Sequence, residues 1–181
     1  MLTITLPESR AFDERTEEFI IFPPVTLRLE HSLISIHKWE SKWHKSYLNN
    51  SSLSPEEQLD YIRCMSLDPN FDVTVFGRMK QEDFTKIRDY IADPMTATVI
   101  HRRNAKRGNS NEFVTAELIY YWMVEFGIPF ECAKWHLNQL LTLIEVCSVK
   151  QNTNNKMNKR DAAAMRAAAN DSRRKRLGTR G

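Results

Sequence analysis

"NEFVTAELIYYWMVEFGIPFECAKWHLNQLLTLIEVCSV", residues 111–149, is the most apolar stretch of the chain and decides its fold class. From Leu118 to Phe126, apolar side chains fall around nearly the whole circumference of a 3.6-residue helix, the pattern of a buried central helix. Gly127 stops that helix and Pro129 starts another after a two-residue link. The continuation places Trp135, Leu137, Leu140, Leu141, Ile144 and Val149 on a long second helix. The pair predicts an αα-hairpin.

Working outward, the upstream segments also read as helices. Ser32 can cap one that runs to about Tyr47, where "LNNSSLS" stops it. Ser54-Pro55-Glu56-Glu57 combines a cap, a first-turn proline and acids at the positive end of the dipole. That helix ends by Asp68-Pro69. "NFDVTVFGRM" fits a strand or a short helix. In "QEDFTKIRDYIADP", Phe84, Ile87, Tyr90 and Ile91 recur at helical spacing until Asp93-Pro94. "TATVI" can pair as a strand, and "HRRNAKRG" is a basic loop.

The N-terminus has a different period. "LTITL" alternates apolar residues with Thr, and "EFIIFPPVTLRLE" gives two more short β runs separated by Pro23-Pro24. The sum is an α+β, mainly α-helical chain. A small N-terminal β-sheet occupies residues 1–31 and a helical body residues 32–150. A basic, Ala-rich arm, helical or disordered, occupies residues 151–181.

Charge separates body from arm. Residues 151–181 hold nine Lys or Arg against two Asp, a net +7, whereas the other 150 residues total −4. A mildly acidic body disfavours a dedicated nucleic-acid-binding domain. The basic loop (Arg102, Arg103, Lys106, Arg107) and the arm (Arg173, Arg174, Lys175, Arg176) are the candidate electrostatic contacts. Three cysteines without a CxxC spacing fit a reducing compartment better than a disulfide scaffold. "MLTITLPESR" lacks the features of a signal peptide, and no run of about 18 apolar residues exists to span a membrane.

The stretch "HKWESKWHKSYLNN", residues 37–50, mixes tryptophans, histidines and lysines. On a helical wheel, Leu33, Ile36, Trp39, Trp43 and Tyr47 share a sector of about 120°, with Lys38, Lys42 and Lys45 opposite. Stacking on single-stranded nucleic acid needs aromatics beside cations, so Trp39 and Trp43 are expected to pack inward or bind a protein partner. His37 and His44 lie about 10.5 Å apart along the axis, too far for one metal ion to bridge unaided. Cys132 and His136 have the i, i+4 spacing of a zinc-binding pair but lack two further ligands. No glycine loop cradles a phosphate and no catalytic constellation is visible, so neither enzyme activity nor a cofactor is expected.

Five segments together resemble a known family. They are "LEHSLISIHKWESKWHKSYL", "LDYIRCMSL", "DYIADPMTAT", "TAELIYYWMVEFGIPFECAKWHLNQLLTLIEVC" and "KMNKRDAAAMRAAANDSRRKRLGTRG". In order and spacing they look like tail assembly chaperones of long-tailed, siphovirus-type bacteriophages, from about Leu27 to the end. The resemblance implies a non-enzymatic protein of the infected host cytoplasm, absent from the mature virion. Its expected partners are the tape measure protein and tail tube protein. Read physically, the arm can link neighbouring copies in self-association, and neither a membrane nor nucleic acid is expected as partner. The physical reading adds candidate partner-binding residues: Trp39, Trp43 and Tyr47 on one helix, and Tyr120, Tyr121, Trp122 and Trp135 on the hairpin. A structural virion protein, either a head–tail connector component or an internal DNA-contacting protein, is the alternative.

Overall fold

The computed structural model describes residues 1–15, 17–50, 52–69, 72–98, 113–154, 166–170, 173, 174 and 178. They fall into two compact units, Met1–Glu145 and Val146–Gly181. The fold is α+β and mainly helical, with its strands gathered at the N-terminus.

Two antiparallel ladders form in series where one small sheet was expected. Strand β1 (Leu2–Leu6) pairs with β4 (Val25–Leu29), Leu2 opposite Leu29 and Leu6 opposite Val25. Strand β2 (Ser9–Asp13) pairs with β3 (Glu18–Phe22), Ser9 opposite Phe22. The chain therefore runs out and back along one ribbon, interrupted at Pro7-Glu8 and Pro23-Pro24. Proline cannot donate to a ladder, so the break falls where the sequence puts its prolines. In the inner half, Ile4, Leu6, Leu27 and Leu29 are buried and Thr3, Thr5, Thr26 and Arg28 are exposed. That alternation seats one face against the body, with β1 packed near the third helix. "SRAFD" had no strand signature of its own. It becomes β2 because it lies opposite the apolar run "EFIIF".

Helix α1 (Leu33–Trp43) is capped by Ser32, whose Oγ accepts from Ser35 N at 3.3 Å while Ser35 Oγ accepts from Ser32 N at 2.9 Å. It ends four residues before Tyr47, the last aromatic of the wheel. His44 adopts a left-handed conformation (φ 53°) and gives its N–H to the Glu40 carbonyl at 2.8 Å. Helix α2 (Pro55–Met65) starts at the expected Ser54 cap and carries a capping box, Ser54 N to Glu57 Oε2 at 2.8 Å and Glu57 N to Ser54 Oγ at 3.2 Å. The ambiguous "VTVFGR" is a 3-10 helix, Val73–Arg78, started by Asp72 accepting from Thr74 N. Helix α3 (Gln81–Ala92) ends before Asp93-Pro94 as its sequence requires. Thr96–Thr98 belong to no strand, and the rest of "TATVI" lies outside the described residues.

Helix α4 (Ala116–Glu125) is closed by Gly127 at φ +63°, the conformation only glycine adopts without cost. Its continuation differs from the expected long helix. A 3-10 helix spans Phe130–Lys134, the chain extends at Trp135, and helix α5 (Leu137–Asn154) starts afresh. The cause is tertiary: Leu137 N donates to the His31 carbonyl at 2.7 Å, and Ser32 bridges His136.

The centre of the core is α1, not α4. Leu33, Ile36 and Trp39 have no measurable exposure, and α1 packs against α2, α4 and the 130–134 segment. Helix α4 buries one face only, Ala116, Ile119 and Met123, against this centre. Its opposite side is uncovered by any described element, so Tyr121 and Val124 remain 57% and 64% exposed.

Candidate functional site

The aromatic residues of 37–50 build a cluster by a route the wheel does not foresee. Trp39 is fully buried, and its indole N–H donates to the Glu57 carbonyl at 3.0 Å. Tyr47 lies beyond the helix, yet the chain turns back and sets its ring 5.3 Å from Trp39 and stacks it 3.9 Å from Tyr61. The buried carboxylate of Glu40 holds that turn by accepting from Tyr47 N at 2.8 Å. Trp43 stacks on Trp39 at 6.2 Å and donates to Asp60 Oδ2 at 2.9 Å.

The expected separation of aromatics from lysines fails at Trp43. Lys42 Nζ and Lys45 Nζ lie 5.3 and 6.0 Å from its ring. Lys45 has already left the helix, and each lysine is drawn in by an acid of α2: Lys42 by Asp60 at 2.5 Å and Lys45 by Glu57 at 2.6 Å. Trp43 is thus a half-buried cation–π platform whose cations are already partnered.

Behind this cluster lies a buried polar knot. His31 Nδ1 is bonded to the Tyr61 hydroxyl at 2.5 Å, and its ring meets that of His136 edge-on at 5.1 Å. His136 accepts from Asn138 N at Nδ1 (3.3 Å) and meets the Tyr90 carbonyl through Nε2 (2.9 Å), which fixes the neutral tautomer with the proton on Nε2. Burial, with His136 adding to it, pushes the His31 imidazole down to about 3. Burial also raises the hydroxyls of Tyr47 and Tyr61 above the usual tyrosine range. His31, Tyr47 and Tyr61 are therefore neutral near pH 7 and serve as packing and hydrogen-bonding elements. With both ring nitrogens engaged and the helix broken at Trp135, His136 does not pair with Cys132 as a chelating turn would. Among the described residues, no group of three or more His, Cys, Asp or Glu could hold a metal ion.

Tyr47 and Tyr61 also wall a groove of about 400 Å³ between α2 and α3. Leu53, Ile62, Phe84, Ile87 and Ile91 complete its apolar lining, and Gln58, Gln81 and Arg88 form its polar rim. It exists because α3 turns its Phe84–Ile91 stripe toward α2 without closing on it.

The second aromatic set divides. Tyr120 and Trp122 are half-buried, and Tyr120 sits 6.0 Å from His37 and 6.1 Å from Phe130. Tyr121 points outward, its hydroxyl donating to Glu125 at 3.0 Å. Trp135 is 42% exposed, and Val124 and Phe130 join the exposed apolar residues of this stretch. The sequence reading did not single out Val124 and Phe130. The signal for Val124 lies in the all-round apolar pattern of α4, which exceeds what one buried face can use; Phe130 belongs to the 3-10 helix that follows. Arg173 and Arg174 are exposed. The candidate contacts Arg102, Arg103, Lys106, Arg107, Lys175 and Arg176 lie outside the described residues.

Comparison of the chain with protein-family models, curated proteins and solved structures yields no match in any of the three. No described helix is long and apolar enough to cross a membrane.

Proposed function

We propose that this protein is a bacteriophage tail assembly chaperone, a non-enzymatic protein that binds the tape measure protein and helps recruit tail tube subunits around it. The reading starts from the family resemblance of the sequence. The observation that carries it furthest is the uncovered apolar side of α4 and the segment after it, where Tyr121, Val124, Phe130 and Trp135 stand exposed. Large exposed apolar and aromatic residues gathered in one stretch mark a protein-binding surface. A helical, aggregation-prone client needs such a face, to cover its own apolar stripe through many weak contacts. The α2–α3 groove offers an apolar concavity in addition to this exposed face. The proposed setting is the host cytoplasm during assembly, with the finished virion free of the chain.

Co-expression tests the reading. The tape measure protein is expected to become soluble and to co-purify with this chain. Mass spectrometry of purified virions should find the chain absent. Stoichiometric presence in virions, together with an insoluble tape measure protein, would establish the structural virion alternative.

A further inference from the structure

We propose that the β2–β3 ribbon is a docking surface for a basic, apolar polypeptide segment. Strands β2 and β3 pack chiefly on each other, and their apolar residues are uncovered: Phe12 52%, Phe19 69% and Ile21 58% exposed. The register puts these three on one face, because Phe12 lies opposite Phe19 and Arg10 opposite Ile21. The Phe12 and Phe19 rings meet at 5.1 Å, a cross-strand pair left uncovered among the described residues. A two-stranded ribbon is marginal alone, and gains a layer when a partner covers it.

The ribbon is also held ready. At its base Arg78 donates to the Pro7 carbonyl at 2.7 Å and the Pro23 carbonyl at 2.9 Å, one from each side of the break. The same guanidinium lies 5.6 Å from the Phe22 ring. This clamp lowers the ordering cost of a docking event at the tip.

Charge selects the occupant. Residues 8–18 hold Glu8, Asp13, Glu14, Glu17 and Glu18 against Arg10 and Arg15, a net −3. Arg10, on the apolar face, is paired with Glu8 at 3.4 Å, and Glu14 and Glu17 stand exposed at the turn. A segment that offers apolar residues to the face and cationic ones to the turn complements both. The inference does not rest on tail assembly. A failed tape measure experiment leaves it standing, and its own failure leaves the α4 surface untouched.

The probe is a synthetic peptide alternating Leu and Lys, titrated against the full chain by fluorescence anisotropy, with an equally long Leu–Glu peptide beside it. Two variants are compared, Phe12→Ser with Phe19→Ser, and Glu14→Lys with Glu17→Lys; all four positions are exposed, so unchanged melting curves are expected. The Leu–Lys peptide should bind the wild type, weaken tenfold or more with either variant, and weaken with added salt. Equal binding to wild type and both variants overturns the proposal, as does equal binding of the Leu–Glu peptide or no binding at all. A wild-type dimer in sedimentation that the Phe12→Ser, Phe19→Ser variant makes monomeric also overturns it, because the occupant is then a second copy.

Discussion

Glu40 and Ala116 are 76 residues apart in sequence and joined at 2.7 Å, the carboxylate Oε2 accepting from the backbone N–H that opens α4. The other oxygen of the same carboxylate accepts from Tyr47 N. One buried acid on α1 thus caps α4 alongside the local cap Thr115, whose Oγ1 accepts from Leu118 N at 3.4 Å, and folds the aromatic turn back on Trp39. Two of the chain's aromatic features depend on it.

Replacing Glu40 with Ala leaves two buried donors without an acceptor. The expected loss is roughly 2–4 kcal/mol, since bonds to a charged group are worth about 1.5–3 kcal/mol each and orphaned donors add their desolvation cost. Urea denaturation measures it. A loss below about 1 kcal/mol would mean that water replaces the carboxylate and that the link is incidental.

Acid should weaken the fold through His31. Its folded value of about 3 lies below the ordinary 6.5, so the unfolded chain binds the proton more readily. Stability is therefore full above about pH 6.5 and falls as pH drops toward 3. By pH 5 the loss from this group approaches roughly 2 kcal/mol, at about 1.4 kcal/mol per unit. Glu57 and Asp68, whose carboxylates are held below their ordinary values by Lys45 and Arg28, stay ionised in that window. Denaturation midpoints at pH 7 and pH 5 for wild type and His31→Asn should differ in slope, the variant being flatter. Parallel slopes would remove His31 as the acid-sensitive group.

Arg78 is expected to govern the ribbon alone. Arg78→Ala removes both bonds to Pro7 and Pro23, so amide exchange across β2 and β3 should rise several-fold while the global melt moves by about 1 kcal/mol or less. A lysine at this position has one ammonium and no planar fork, and should restore little. Unchanged exchange in Arg78→Ala would show that the ladder bonds alone set the ribbon's rigidity.

The aromatic residues should sort by burial. Trp39→Ala opens the core and is expected to cost about 3–5 kcal/mol. Tyr121→Ser with Val124→Ser alters exposed positions and should stay within about 0.5 kcal/mol per site. Thermal melts separate the two, and comparable losses would contradict the division between core and surface.

Much of the fold was legible where local chemistry decides it. Ser32 and Ser54 cap their helices, Gly127 ends α4, and the alternation in "LTITL" and "VTLRL" sets which side of the inner ribbon is buried. What escaped depends on contacts between distant residues. Helix α1 stops at Trp43 although its apolar period continues, because Glu40 captures Tyr47 N. The helix expected from Pro129 is broken because the His31 carbonyl captures Leu137 N. Strand β2 follows from its partner, and "SRAFD" alone could not announce it. For the site, periodicity located the aromatics of α4 but said nothing of what covers them. With α1 at the centre, half of that helix is left uncovered.

The most direct measurement is co-expression of the tape measure protein with the wild-type chain and with the Tyr121→Ser, Val124→Ser variant. The wild type should keep the tape measure protein soluble and co-purify with it, and the variant, with an unchanged melt, should not. A tape measure protein that stays insoluble beside the wild type, or is rescued equally by the variant, would contradict the α4 surface as its binding site.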